Sequence, residues 1–153
     1  MQYNKERHIP DIHVDADACP VQIRRIIERT ARRYNINLIL YIDDSHELYP
    51  AYGKVKQVSQ GSDAVDYVLA NQVEPGDIVV TQDYGLAALA LSRKARAIHP
   101  SGMIYTEYNI EQLLAERHMA SVARAAGNRF RSGGKNRKRS DFSFADQLNS
   151  LIN

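Results

Sequence analysis

Short apolar runs alternate with helix-periodic segments along most of this chain, and that alternation constrains the fold more than any other feature. Ile12-His13-Val14 is a short apolar run that ends at Asp15. Leu38 to Ile42, Val55 to Val58, Asp77 to Thr81 and Ala95 to Ile98 are further runs of strand length. Brief, continuously apolar runs fit strands covered on both faces of a parallel sheet. Between them, Ile23, Ile26, Ile27, Thr30 and Tyr34 recur at helical spacing, and Arg24, Arg25, Arg29, Arg32 and Arg33 fill the opposite side. Pro20 suits the first helical position, where its missing N–H costs nothing. Ser62 can cap a helix running to about residue 72, with Val65, Val68 and Leu69 on its apolar face. A helix from Tyr84 to Lys94 follows the clearest strand. Another starts at Asn109, with Ile110, Leu113, Leu114 and Val122 on one side, and Gly127 ends it. Ser143 and Asp146 have capping-box spacing before a last short helix.

Strands alternating with helices predict an α/β fold, a three-layer α/β/α sandwich around a central, mainly parallel sheet. Its crossovers should be right-handed. At 153 residues the chain is long enough for one domain with its own core. The expected division is a polar tail over residues 1–10, the α/β domain over 11–130, and a basic loop with a short helix over 131–153. No apolar stretch approaches the ~18 residues of a membrane span. Met1 to Pro10 carries no signal-peptide core, and the single cysteine, Cys19, asks for no oxidising compartment. No membrane association and a cytoplasmic location are the expectations.

In open parallel sheets the ligand crevice lies beyond the carboxyl ends of the strands. Asp15 and Asp17 follow the first strand, Asp43 and Asp44 the second, and Asp83 the clearest one; Asp63 and Asp66 lie on the helix between. Converging carboxylates repel one another unless a cation or protons offset them. A set of hard oxygen donors suits Mg²⁺ or Mn²⁺, ions that typically act on phosphoryl groups. The metal-ligand candidates are therefore Asp15, Asp17, Asp63, Asp66 and Asp83. The bland alternative is that Asp15, Asp17 and Asp83 only cap the following helices, with Asp43 and Asp44 as plain loop acids. Cys19 is expected to be a small buried residue rather than an activated thiolate. The five histidines show no metal-ligand spacing and read as structural or surface groups. Tyr41, Tyr49 and Tyr52 could stack bases or pack their loop onto the domain.

The net charge is only +2, yet eight basic residues and no acid fall between Arg117 and Arg139, which leaves the rest of the chain at −6. Either this is a solvated face followed by a loop, or it is a strip for phosphates. In the second reading Arg129, Arg131, Lys135, Arg137, Lys138 and Arg139 bind nucleic acid.

The run Val14-Asp15-Ala16-Asp17-Ala18-Cys19-Pro20 resembles the signature of the YaiI/YqxD family of bacterial proteins. The likeness continues at Gly76-Asp77-Ile78-Val79-Val80-Thr81-Gln82-Asp83, at Leu86-Ala87, at Pro100-Ser101-Gly102, and at Leu113-Leu114 with Arg117-His118. It departs late, with Gly133-Gly134-Lys135 where a Gly-Pro is expected. That family resembles the PIN-like nucleases. The resemblance implies a PIN-like domain with acids in a fixed order: Asp15 after the first strand, Asp63 or Asp66 on a middle helix, and Asp83 last. It implies a metal-dependent nuclease hydrolysing RNA or DNA with Mg²⁺ or Mn²⁺, in which Asp15, Asp66 and Asp83 are catalytic. A non-catalytic nucleic-acid-binding module is the alternative. The Asp15-Ala16-Asp17 spacing also fits a phosphotransferase of the haloacid-dehalogenase kind, a third and weaker fit because no cap insertion is visible.

Overall fold

Strand β1 (Ile12–Asp15) is the spine of a six-stranded sheet of order β3-β2-β1-β4-β5-β6. The computed structural model describes residues 9–59, 64–127 and 140–153. A single 3-10 turn (Ala16–Ala18) leads from β1 to α1 (Val21–Arg33), then β2 (Leu38–Asp43) and β3 (Lys54–Val58). The chain returns through α2 (Ala64–Gln72) to β4 (Ile78–Val80) on the other side of β1. It continues through α3 (Tyr84–Ser92), β5 (Arg96–Ile98), β6 (Ile104–Tyr105), α4 (Glu107–Ala125) and α5 (Ser140–Ile152). All pairings are parallel except β5 with β6. The predicted three-layer α/β/α architecture is the one observed.

Period-two alternation sorts the strand side chains into two cores. Ile12, Val14, Leu40, Ile78 and Val80 face one side, where Ile23, Ile27 and Ala31 of α1 and Phe144, Leu148 and Leu151 of α5 cover them. Tyr41, Val79 and Ala97 face the other side, beneath Leu69 of α2, Leu86, Ala87 and Ala90 of α3, and Ile110 of α4. Helix α5 is thus part of the α1 layer. Gly102 lets it approach, because with φ +98° a Cβ there would meet the Phe144 nitrogen at 2.9 Å.

Several element limits differ from the sequence expectation. Helix α1 starts at Val21, with Pro20 as its N-cap. Helix α4 starts two residues before Asn109, because Thr106 is the N-cap and Asn109 is the third residue of a capping box: each side chain accepts the other's backbone N–H, at 3.0 and 2.8 Å. Val122 is exposed rather than on the packed side of α4. Ser143 lies inside α5, which begins at Ser140. The two-residue β6 is too short to show a periodicity in the sequence. Ser62 and Asp63 lie outside the described residues. Among the described residues no helix is long and apolar enough to cross a membrane.

Candidate functional site

The strand order reverses between β1 and β4. From β1 the chain moves outward to β2 and β3, then returns to β4 and moves out the other way. Such a switch point opens a crevice at the carboxyl ends of the two central strands, because the connections leave in opposite directions. Asp15 ends β1, and Thr81-Gln82-Asp83 follows β4. The crevice there has a volume of ≈ 710 Å³ and is lined by Asp15, Asp17, Asp43, Asp66, Asp83 and Arg117, with Gln82 and Tyr84.

Thr81 ties the two strand ends together. Its hydroxyl is buried, donates to Asp15 Oδ2 at 3.3 Å, and accepts the Asp83 N–H at 2.9 Å. Asp83 is the N-cap of α3: its Oδ1 accepts the N–H groups of Gly85 and Leu86 at 2.8 and 3.1 Å. Both capping bonds fall on Oδ1, so Oδ2 is the oxygen available to a ligand. Arg117 Nη1 reaches Asp83 Oδ1 at 3.8 Å from α4. Burial pushes the Asp15 carboxyl above its ordinary value, and the negative charges of Asp17 and Asp83 add to this, while the Thr81 hydroxyl opposes it.

The capping alternative separates these acids. Asp83 is a cap, as that alternative holds. Asp15 and Asp17 are not, because neither the 3-10 turn nor α1 has a side-chain cap. Asp17 Oδ2 instead accepts the Asp43 N–H at 2.8 Å, and its Oδ1 lies 3.2 Å from His46 Nδ1. His46 Nδ1 is also 3.4 Å from Asp43 Oδ1. The side chain and backbone N–H of Ser45 donate to Asp43 and hold its carboxyl below the ordinary range, with His46 adding to this. Asp17, Asp43 and His46 bring ligand atoms within 4.8 Å of one another. Asp43 ends β2 rather than lying in the loop, and His46 bridges its carboxylate and that of Asp17. The sequence signal was present as Asp43-x-x-His46 directly after a strand, but the partner Asp17 is remote in sequence. Asp15, Asp66 and Asp83 share the crevice without forming so tight a group. Asp63 and Arg129, Arg131, Lys135, Arg137, Lys138 and Arg139 lie outside the described residues.

A second polar network lies within the sheet. His13 Nε2 is 2.9 Å from Asp77 Oδ2, and His13 Nδ1 is 2.9 Å from the Tyr41 hydroxyl. Asp77 also accepts the N–H groups of Asp11 and Glu74, each at 3.0 Å. The two ring nitrogens are thus both engaged, Nε2 with the Asp77 carboxylate and Nδ1 with the Tyr41 hydroxyl. Burial pushes the Tyr41 hydroxyl up to about 12, so it remains a donor. These side chains are buried and fix β1 against β2 and β4. Cys19 is partly buried, and burial pushes its thiol up to about 12, which matches the expectation of an inert cysteine.

Fold and crevice together define a doubly wound α/β domain with a carboxylate-lined crevice at its switch point. Within that class the chain belongs to the family described as uncharacterized BCR, YaiI/YqxD family, whose model matches residues 13–153. A UPF0178 protein of Lachnoclostridium phytofermentans is 52% identical over 144 residues, covering 92% of this chain and 95% of the relative. A UPF0178 protein of Ruminiclostridium cellulolyticum is 46% identical over 137 residues, covering 90% and 88%. One from Clostridium tetani is 43% identical over 141 residues, covering 92% and 95%. No solved structure matches the chain at a significant level.

Proposed function

We propose that the chain is a Mg²⁺- or Mn²⁺-dependent phosphodiesterase of the PIN-like kind, acting on RNA or DNA. The observation that carries this reading is the pairing of Asp15 and Asp83 across Thr81 at the switch point of the sheet. The donor set fits a hard divalent cation. Asp15 is held above its ordinary range by burial and by two neighbouring carboxylates, a cost that a cation would relieve. Mg²⁺ keeps several waters and takes one or two protein carboxylates, so acids spaced around an open crevice suit it better than a closed cage. Asp15, Asp83 and Asp66 would hold the ion, with Asp17 and Asp63 as further acids of the set. Once bound, it would supply Lewis acidity toward a phosphoryl oxygen.

The chain's own residues do the rest in this reading. Asp15, at the end of the central strand β1, orients the attacking water. Arg117, at the mouth, pairs with a phosphate oxygen. Arg129, Arg131, Lys135, Arg137, Lys138 and Arg139 hold the substrate backbone. The capping duty of Asp83 favours a second reading, a nucleic-acid-binding module without turnover, since a cap needs no catalytic reason. The haloacid-dehalogenase alternative needs Asp17 as an acid beside Asp15, but Asp17 is engaged with Asp43 and His46.

The test is hydrolysis of mixed-sequence single-stranded RNA and DNA with Mn²⁺ and with EDTA, on wild type and Asp15→Asn. Cleavage that needs Mn²⁺ and is lost in Asp15→Asn supports the enzyme. Salt-dependent binding without cleavage supports the module.

A further inference from the structure

Helix α1 presents Arg25, Arg29 and Arg32 at i, i+4 and i+7, one exposed stripe with steps of about 6 and 4.5 Å along the axis. The stripe forms one wall of a groove of ≈ 310 Å³, lined by Arg25, Glu28, Arg29, Arg32, Ala51 and Tyr52. The one acid in this wall is already engaged. Glu28 is buried; its Oε1 accepts the N–H groups of Ala51 and Tyr52, and its Oε2 lies 3.5 Å from Arg24. Among the described residues, Arg25, Arg29 and Arg32 have no carboxylate partner. Three exposed guanidinium groups along one stripe leave this face positively charged, a charge that a bound anion would offset.

We propose that this groove binds the phosphodiester backbone of a single-stranded nucleic acid, as a second contact site beside the acidic crevice. Arginine matches phosphate geometry through paired N–H groups. The loop between β2 and β3 connects the two places: it borders the crevice at Asp43 and the groove at Ala51 and Tyr52. Ala51 is eight positions after Asp43, so the span is at most about 28 Å. A strand of roughly 12 nucleotides, at about 3.4 Å each even when stacked, exceeds that distance. The same loop carries Tyr49, 84% exposed, whose hydroxyl donates to Glu47 at 3.0 Å while its ring is open to stack a base, whereas Tyr41 and Tyr52 pack against the domain. An exposed aromatic on the loop that lines the groove at Ala51 and Tyr52 favours nucleic acid over an acidic peptide. The proposal rests on the nucleic-acid reading above but not on hydrolysis.

The experiment measures binding of a fluorescently labelled oligo(dT) of roughly 12 nucleotides to the full chain in EDTA, across a salt series. Wild type is compared with Arg25→Gln/Arg29→Gln/Arg32→Gln, whose changes are on an exposed face and whose melting temperature is checked. The triple variant should bind at least tenfold more weakly, and its slope of log affinity against log salt should fall by about 2, since each phosphate contact contributes about 0.7 for single strands. Tyr49→Ala should weaken binding without changing that slope. No binding by wild type, or an unchanged slope in a folded triple variant, overturns the proposal. Displacement by polyglutamate as effective as by unlabelled oligo(dT) overturns it in favour of an acidic polypeptide. Because EDTA removes any need for turnover, a chain that binds through the groove but never cleaves refutes the enzyme reading alone. A chain that cleaves with Mn²⁺ while the triple variant keeps its slope refutes the groove alone.

Discussion

The Thr81 hydroxyl stands 3.3 Å from Asp15 Oδ2, joining the carboxyl end of β1 to the residue that follows β4. The same oxygen accepts the Asp83 N–H at 2.9 Å, so one buried side chain sets both acids. Valine has nearly the same shape and neither hydrogen bond. Thr81→Val leaves the Asp83 N–H unpaired and removes the one hydrogen bond that favours ionised Asp15, for an expected loss of about 1–3 kcal/mol. Thr81→Ser should retain most of the polar contact. Urea denaturation of the three proteins checks this, and equal stability for Val and wild type would contradict it.

Asp83 caps α3 and, in the proposed site, would also bind the metal, and the two duties are separable. Asparagine caps helices about as well as aspartate, whereas alanine forfeits about 1 kcal/mol. Asp83→Asn should therefore keep nearly wild-type stability, while Asp83→Ala should be destabilised by that amount. Both should weaken Mn²⁺ binding in the proposed site, because neither retains the negative charge. A full metal response in Asp83→Asn would leave the residue as a cap alone.

Asp77 is a stability residue at the opposite ends of the same strands. It serves His13 Nε2 and the N–H groups of Asp11 and Glu74. Asp77→Ala orphans all three at a largely buried position, and the expected cost is about 3 kcal/mol or more. The folded fraction of this variant should still respond to Mn²⁺ as wild type does. A mild loss in the urea midpoint would show that water replaces the carboxylate.

His99 gives stability a pH dependence. Burial lowers its titration below the ordinary 6.5, and its Nδ1 accepts the Ser101 N–H at 2.9 Å, a bond that protonation there would break. The unfolded chain then binds a proton more readily than the folded one, so stability rises with pH through this window. The contribution is complete above 6.5, is lost as the pH falls through that value, and levels off below the folded value. Melting temperature should drop between pH 7 and 5.5 by more in wild type than in His99→Gln.

The layers, the parallel sheet and the crevice position were legible because each rests on local pattern. Ile78-Val79-Val80 declares a buried strand, and the acids after it sit where a switch point would use them. What was not legible depends on partners far apart in sequence. Asp77 and His13 are 64 positions apart, and nothing in Ile12-His13-Val14 says that the middle residue meets a carboxylate. Asp17 and His46 likewise meet only because β2 lies beside β1. Asn109 has helix-starting chemistry, but Thr106 holds the cap, and two good capping residues three apart cannot be ranked without the backbone. Arg117 was visible as the start of a basic block, yet its place opposite Asp83 follows from the packing of α4 on α3.

The measurement that reaches furthest is thermal stability with and without millimolar Mn²⁺, on wild type and Asp15→Asn. A cation that binds only the folded chain adds about 2.7 kcal/mol at a hundredfold excess over its dissociation constant. The proposed site predicts a clear rise in melting temperature for wild type that is absent in Asp15→Asn. An equal rise in both proteins would put the ion elsewhere, with Asp17, Asp43 and His46 the nearest alternative. No rise in either would contradict a metal site at the junction of β1 and β4.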